Sequence, residues 1–548
     1  MVNDRLTEDT RNRCMKILAV IPARSNSKRI PNKCIRIVNN KPLLYYSIET
    51  AKRSKYISEI IVTTDSNEVA IIAKQMNVDF KMRTSELCTD ETTLDSVVYD
   101  AMGNRDYDYV ITLQPTTPLL KVETLDSAIE YVIEKELDTL VSVHNSPKLA
   151  WKKTEGDVRP EYIKRLNSQY LPPYFQETGA FVINKKGVVT SETRFAGKLD
   201  IYETSAEEAI NVSDFKDLAL VNAIMRTKKV AIYVNGNNKM GMGHVYRVLE
   251  LADEFYCKPD IYYDINQTDR NAFGNTSHRL IPVNGAEELF AELKKEEYDC
   301  VINDVLSTSL EYMEKMHDCV PDAKIVNFED DGDGAYSADL VINALYSESK
   351  ILNAKCGEKY YIAPKQFLFY NPIEIKEHVE HILVTFGGAD PKNYTGRMLN
   401  IINNNEEKYA NVKFTFIVGR ANIHSNELLK YGKRDNIEVL YDIDNMPEIM
   451  TQCDVAFTSR GRTGFELAIL GIPSVAIAQN DREERHNFMC HENGFDYLGQ
   501  NPSDAVLELN LDLYLKLSRG ERCALQKRML DKDLRNGRRR VMNLINSL

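Results

Sequence analysis

The strongest constraint on this chain is a strand-then-helix pattern that runs, stops and restarts twice. From Met15 to about Thr227, "KILAVIPA", "EIIVTTD", "YDYVITLQP", "DTLVSVH" and "GAFVIN" read as strands. "PLLYYSIETAKRS", "EVAIIAKQM" and "TLDSAIEYVIEKE" read as helices. A second series opens at Lys228 with "KVAIYVN" and continues through "YDCVIND", "KIVNFED" and "DLVINAL". A third opens at His381 with "HILVTFGGADP" and runs on through "VKFTFIVG", "IEVLYDI", "CDVAFTS" and "IPSVAIAQ". Such alternation predicts mostly parallel sheets with helices on both faces, an α/β protein. The 548 residues are too many for one core. The pattern predicts a polar tail over 1–14, one domain over 15–227, and two lobes over 228–375 and 376–548, with Phe367 to Glu380 joining the lobes.

Composition narrows the partners. A net charge of −12 argues against a nucleic-acid binder. Anionic substrates must therefore be held by local cationic pockets. The ten cysteines are scattered with no CxxC spacing, the pattern of reduced thiols in the cytosol. "MVNDRLTEDTRNRC" is polar and charged, unlike a signal peptide. No apolar run approaches the ~20 residues of a membrane span. These features predict a cytoplasmic protein acting on soluble substrates, away from membranes.

"IPARSNSKRIPNK", Ile21 to Lys33, ends the first strand. A turn after a parallel strand points backbone N–H groups toward ligands at the C-terminal sheet edge. Arg24, Lys28, Arg29 and Lys33 add positive charge there, which matches a triphosphate; the plainer alternative is an exposed basic loop. With "RTSELCTDETT", "LQPTTPL" and "TGAFVIN", this stretch resembles the cytidylyltransferases that make CMP-activated sialic-acid-type sugars. The resemblance implies a Rossmann-like nucleotidyltransferase in which a sugar hydroxyl attacks the α-phosphate of CTP. It implies CTP and a nonulosonic acid as substrates, Mg²⁺ as cofactor and a homodimer. It places Arg24, Ser27, Lys28 and Lys33 on the triphosphate, with Arg24 and Lys28 catalytic. Arg83 and Thr93 would lie by the cytosine, and Gln114 and Gln169 by the sugar. The sequence also departs from the family's pattern. Asn26 stands for its glycine, Cys34 for its asparagine and Ser168 for its arginine. Asn211 and Ser213 replace the metal-binding aspartates, which leaves Asp214 and Asp217 as the nearby carboxylates for a hard cation. Trp151 is the only tryptophan, either a sugar platform or a core or rim aromatic.

"KMGMGHVYR", Lys239 to Arg247, sets His244 directly after glycine, between a strand and an amphipathic helix. Gly241 and Gly243 would let a ligand approach the backbone. The helix N-terminus favours phosphate, and a neutral imidazole can take a proton from water. "SRGRTGFELAILGIPSVAIAQNDREERH" adds Arg460 and Arg462, two cations suited to a diphosphate or to a solvated rim. "TGFE" fits a helix capping box as well as a ligand site. In "RHNFMCH", His486 and Cys490 could share a helical face beside His491, but clear zinc spacing is lacking. "EDDGDG" lacks a full calcium-loop pattern and reads as a loop after a strand.

"GMGHVYR", "FGGADP", "TGFELA" and "GIPSVAIAQN" make residues 229–548 similar to the two-lobed UDP-sugar hydrolases of the pseudaminic-acid pathway and to related spore-coat polysaccharide proteins. The resemblance implies a glycosyltransferase-B-like fold with a UDP-linked amino sugar as ligand. His244 would assist water in releasing UDP. Gly387, Gly388 and Asp390 would lie by sugar and diphosphate, and Thr463, Glu466 and Gln479 by the nucleotide. Tyr233 and Asn235 stand where those hydrolases carry an Arg-x-Asp. The expectation is a bifunctional enzyme of nonulosonate biosynthesis. A sugar-transferring second half, or one half serving as an inactive nucleotide-binding module, are the alternatives.

Overall fold

The computed structural model describes residues 15–548 apart from 26, 90, 155, 237–242, 432–434 and 444. The chain divides into two compact units, Met1–Thr227 and Lys228–Leu548. The first holds a sheet of β1 (Ile17–Ala23), β2 (Glu59–Thr64), β3 (Asp79–Met82), β4 (Tyr109–Leu113), β5 (Thr139–Asn145), β6 (Phe175–Lys185) and β7 (Leu199–Glu203). Their order is β7-β5-β6-β4-β1-β2-β3. Only β6 is antiparallel to its neighbours, β4 and β5. The sequence pattern of β1 explains its central place. Successive side chains point to opposite faces. Ile17, Ala19 and Ile21 meet the helices Leu43–Arg53 and Val122–Glu134, while Leu18 and Val20 meet Leu94–Met102. A strand apolar on both sides belongs in the middle of a sheet covered by helices.

The second unit has two lobes, each built on a wholly parallel sheet. The first lobe holds β8 (Val230–Val234), β9 (Asp260–Asp264), β10 (Arg279–Val283), β11 (Cys300–Asp304), β12 (Lys324–Phe328), β13 (Leu340–Asn343) and β14 (Ala354–Cys356), ordered β10-β9-β8-β11-β12-β13-β14. The second holds β15 (His381–Thr385), β16 (Lys413–Val418), β17 (Ile437–Tyr441), β18 (Val455–Ser459), β19 (Ser474–Ala478) and β20 (Phe495–Gln500), ordered β17-β16-β15-β18-β19-β20. The helix Gly537–Ser547 follows the second lobe in sequence yet packs on the first. Val541, Met542 and Ile545 share a core with Val230, Ile232 and Val245. Gly537 permits this return, since a Cβ there would lie 2.0 Å from the Tyr361 carbonyl oxygen.

The acidic run "EDDGDG" follows β12 as a brace. The buried Asp330 carboxylate accepts from Thr308 N and Oγ1, from Asn327 Nδ2 and from Gly332 N. No helix among the described residues is long and apolar enough to cross a membrane.

Candidate active sites

In the first unit β1 lies between β2 and β4, so the loops leaving these strands border one crevice at the sheet's C-terminal edge. The basic loop leaves β1, Asp65 leaves β2 and Gln114 leaves β4. Asp65 pins the loop by accepting from Ser25 N at 2.6 Å and Ser25 Oγ at 2.9 Å. Arg83 is anchored on β2, donating from Nε and Nη2 to Thr63 Oγ1 at 3.1 Å and Thr63 O at 2.9 Å. Burial lowers the Arg83 guanidinium's pKa, against the pull of Asp65. Arg24 and Lys28 are exposed on the loop, and Ser27 is half-buried.

Lys33 reaches inward and donates to Val212 O at 3.0 Å. Burial lowers its pKa, opposed by Cys34, reinforced by Arg29 and Arg24, and opposed again by Asp217. Beside it, burial pushes the Cys34 thiol up to about 11, which makes it a packing group. Gly179 sits in β6 with φ +75 where the pairing with β5 shifts register. A Cβ there would lie 2.7 Å from Asn211 Nδ2 and 3.0 Å from Gln114 Nε2. Lys33, Val212, Asn211, Gly179 and Gln114 are therefore drawn together at the crevice. Asn211 donates to Thr178 O at 2.9 Å, bonding the backbone where the resemblance has a metal-binding carboxylate.

Other expected residues have local duties. Thr93 is an exposed cap of the helix Leu94–Met102, accepting from Ser96 N. Gln169 is exposed on the 3₁₀ turn Ser168–Tyr170. Trp151 is 57% exposed on a two-stranded hairpin, edge-on to Tyr162, so it is a rim aromatic. Asp214 and Asp217 form a capping box on the helix Phe215–Ile224. Asp214 Oδ1 accepts from Lys216 N and Asp217 N; Asp217 Oδ2 accepts from Ser213 N, Ser213 Oγ and Asp214 N. The Ser213 hydroxyl leads in holding the Asp217 carboxyl below its ordinary range. Among the described residues the second oxygen of each carboxylate accepts nothing. Mg²⁺ is commonly held by one or two carboxylates together with substrate phosphates. This pair fits that mode, and no fuller metal cluster occurs among the described residues.

In the second unit β8 lies between β9 and β11, and His244 stands at the start of the helix Gly243–Ala252 that follows β8. Asp304 closes β11 on the same edge. Its carboxylate is 0% exposed and meets His244 Nδ1 at 2.5 Å. It also accepts from Arg247 Nε at 2.7 Å and Nη2 at 2.5 Å. Burial opposes its ionisation, but Arg247 and His244 hold its carboxyl below the ordinary range. A proton on Nδ1 would be held there by the carboxylate and leave the Nε2 lone pair available; Arg247 Nη2 also lies 3.1 Å from Nδ1. A base oriented by a third group is the arrangement needed for drawing a proton from an attacking hydroxyl.

Arg247 also donates to Glu329, a buried carboxylate with backbone φ +53. From the second lobe, Arg462 donates to Glu329 at 3.0 Å and to Gly243 O, and Arg482 donates to Glu329 at 3.3 Å. Gly243 makes room for this: a Cβ would lie 2.8 Å from Arg462 Cδ and Nε. The close approach predicted at Gly243 is thus made by a side chain of the protein itself. Gly241 lies outside the described residues.

The loop after β15 rests on its own lobe. Gly387 has φ +78, and Gly419 packs on Gly388, where a Cβ would be 2.5 Å from Gly388 Cα. Asp390 is buried; it accepts from Tyr394 N, Thr395 N and Gln479 Nε2, so it braces the loop. Three acceptor sites of the carboxylate are used in this way, and Oδ2 keeps one for a ligand. Gln479 Oε1 is buried without a partner among the described residues. Arg460 is corrected: buried, it lies 3.7 Å over the Tyr497 ring and donates to Glu484 O. "TGFE" is no capping box, because Arg462 holds the cap position with helical backbone and Thr463 is already inside the helix. Glu466, freed of that duty, is half-buried, and burial pushes it up to about 7.

Tyr233 and Asn235 are buried and bonded to each other at 3.1 Å. His486 donates from Nδ1 to Arg460 O at 2.8 Å, and His491 lies 3.4 Å from Asp496 Oδ1, so the two serve different neighbours. Asp65, Asp304, Glu329 and Arg482 border the candidate sites, and the sequence reading passes over them. The readable signal for the first two is an aspartate ending an apolar strand, in "EIIVTTD" and "YDCVIND".

A family model described as cytidylyltransferase matches residues 18–238. The chain is 30% identical to a CMP-N,N'-diacetyllegionaminic acid synthase of Legionella pneumophila, over 40% of this chain and 100% of that protein. It is 30% identical to an N-acylneuraminate cytidylyltransferase of Escherichia coli over 45% of this chain, and spans 59% of that relative's length. It is 25% identical to the spore coat polysaccharide biosynthesis protein SpsG of Bacillus subtilis, over 46% of this chain and 78% of that protein. Among solved structures, Acinetobacter baumannii MurG aligns with a TM-score of 0.42 at 13% identity, over 59% of this chain and 100% of that one.

Proposed function

This chain belongs to the cytidylyltransferase family, and on that premise we propose that its first unit couples CTP to a nonulosonic, sialic-acid-like sugar acid. The products are a CMP-sugar and pyrophosphate. The observation that carries this reading is the crevice where the Asp65-pinned basic loop faces Lys33, Gln114 and Asn211. Arg24, Ser27, Lys28 and Lys33 hold the triphosphate, and Gln114 and Gln169 face the sugar. Arg83 and Thr93 take the cytosine side. Catalysis is positioning plus neutralisation of the leaving pyrophosphate. Asp214 and Asp217, together with the phosphates, would hold Mg²⁺, which would add to that neutralisation. Incubation with CTP, Mg²⁺ and sialic, legionaminic or pseudaminic acid tests the reading by pyrophosphate release. CTP binding with no release from any acid would leave the unit an inactive nucleotide module.

The His244–Asp304 pair supports a second activity. The second unit cleaves a UDP-linked amino sugar, with His244 Nε2 taking the proton of the attacking hydroxyl. Thr463, Glu466 and Gln479 lie on the nucleotide side, and Gly387, Gly388 and Arg462 by the diphosphate. Water as the attacking group makes the unit a hydrolase; a sugar hydroxyl makes it a transferase. UDP release from a UDP-diacetamido-trideoxyhexose with no acceptor present decides for hydrolysis, and release only with an acceptor decides for transfer.

A further inference from the structure

Resting on the reading of the second unit as a nucleotide-sugar enzyme, we propose that Arg482 joins Arg462 as the seat for the ligand's diphosphate. Glu329 is the positioning residue that holds both guanidiniums beside His244. The argument starts from charge. Two carboxylates, Asp304 and Glu329, face three guanidiniums, those of Arg247, Arg462 and Arg482. Within this hydrogen-bonded set the guanidiniums exceed the carboxylates by one positive charge. It faces the open side of the network: the carboxylates are 0% and 2% exposed, whereas Arg462 and Arg482 are 22% and 32% exposed.

The donors are also in place. Arg247 already satisfies both carboxylates from within the first lobe. Of the five N–H donors on a guanidinium, Arg482 uses only those of Nη2 among the described residues. The planar fork of the rest matches phosphate oxygens. Arg462 fixes the distance to the chemistry, because its Nη1 bonds the carbonyl of Gly243, the residue before His244. Anchoring on one buried carboxylate keeps two flexible side chains from repelling each other and orders them before the ligand arrives.

The test compares UDP with uridine on the full chain by ligand-observed NMR, which reads weak binding. The wild type is expected to bind UDP well above uridine. In Arg482→Gln that preference falls about tenfold or more while uridine affinity holds, and unchanged uridine binding certifies the fold. Glu329→Gln is expected to erode the same preference. If the wild type binds neither ligand, the functional reading fails and takes the seat with it. If the wild type prefers UDP and Arg482→Gln keeps the whole preference, the seat is refuted and the reading stands.

Discussion

Replacing Asp304 by Asn keeps the side chain's shape and removes one charge from the second site. The buried carboxylate is met by His244 Nδ1 at 2.5 Å and by Arg247 Nε and Nη2 at 2.7 and 2.5 Å. Every neighbour thus points an N–H at it, and an amide NH₂ there opposes a donor with a donor. Arg247 is left with Glu329 as its carboxylate partner. Removing one partner of a buried pair costs about 3–5 kcal/mol, which denaturant titration of the full chain will show as a lowered midpoint. The effect on turnover follows from the tautomer. To accept the new amide at Nδ1, the imidazole moves its proton to Nε2 and loses the lone pair that draws off the attacking proton. Loss of a general base lowers kcat by about 10²–10⁴-fold. UDP release at saturating UDP-sugar measures this. The ¹⁵N shifts of the His244 ring report the protonated nitrogen independently of turnover. A kcat within about threefold of wild type, with Nδ1 still protonated, would refute the reasoning.

Three further outcomes are expected. Asp65→Ala frees the backbone and hydroxyl of Ser25; the KM for CTP should rise by about tenfold, as for loss of one charge-assisted bond, and an unchanged KM removes Asp65 from the site. Gly243→Ala drives a methyl to 2.8 Å from Arg462. It should destabilise the second unit by about 1–3 kcal/mol and weaken UDP binding, while pyrophosphate release by the first unit stays level. Burial pushes Glu466 and Glu483 up to about 7 from an ordinary 4.5. Below pH 4.5 both folded and unfolded chains are protonated; between 4.5 and 7 only the unfolded chain ionises, so stability falls as pH rises and levels off above 7. Glu466→Gln should flatten that fall in urea titrations across pH 4.5–8, and an unchanged slope contradicts the shift.

Most central strands were legible because they are apolar on both faces, as β1, β8 and β15 are; the interior β9, with an aspartate at each end, was missed. The edges were not legible. β3 and β7 have side chains in solvent on one or both faces, so no apolar run marks them. Nor does any pattern record that β6 runs antiparallel; direction is set by pairing across the sheet. His244 stood out because glycine precedes it at a strand-to-helix turn. Its partner Asp304 is sixty residues away in sequence, and only the parallel pairing of β8 with β11 brings them together. Arg460 and Arg462 looked equivalent as cations in one loop. An aromatic ring captured the first and a buried carboxylate the second.

The placement of Val541 and Ile545 among the interior side chains of β8 and its helix has a consequence for biogenesis. Emerging from the ribosome, residues 228–360 lack part of their own hydrophobic filling. They must wait, incompletely sealed, while the whole intervening lobe is synthesised. Maturation of the segment carrying His244 is therefore timed by a helix translated nearly three hundred codons later.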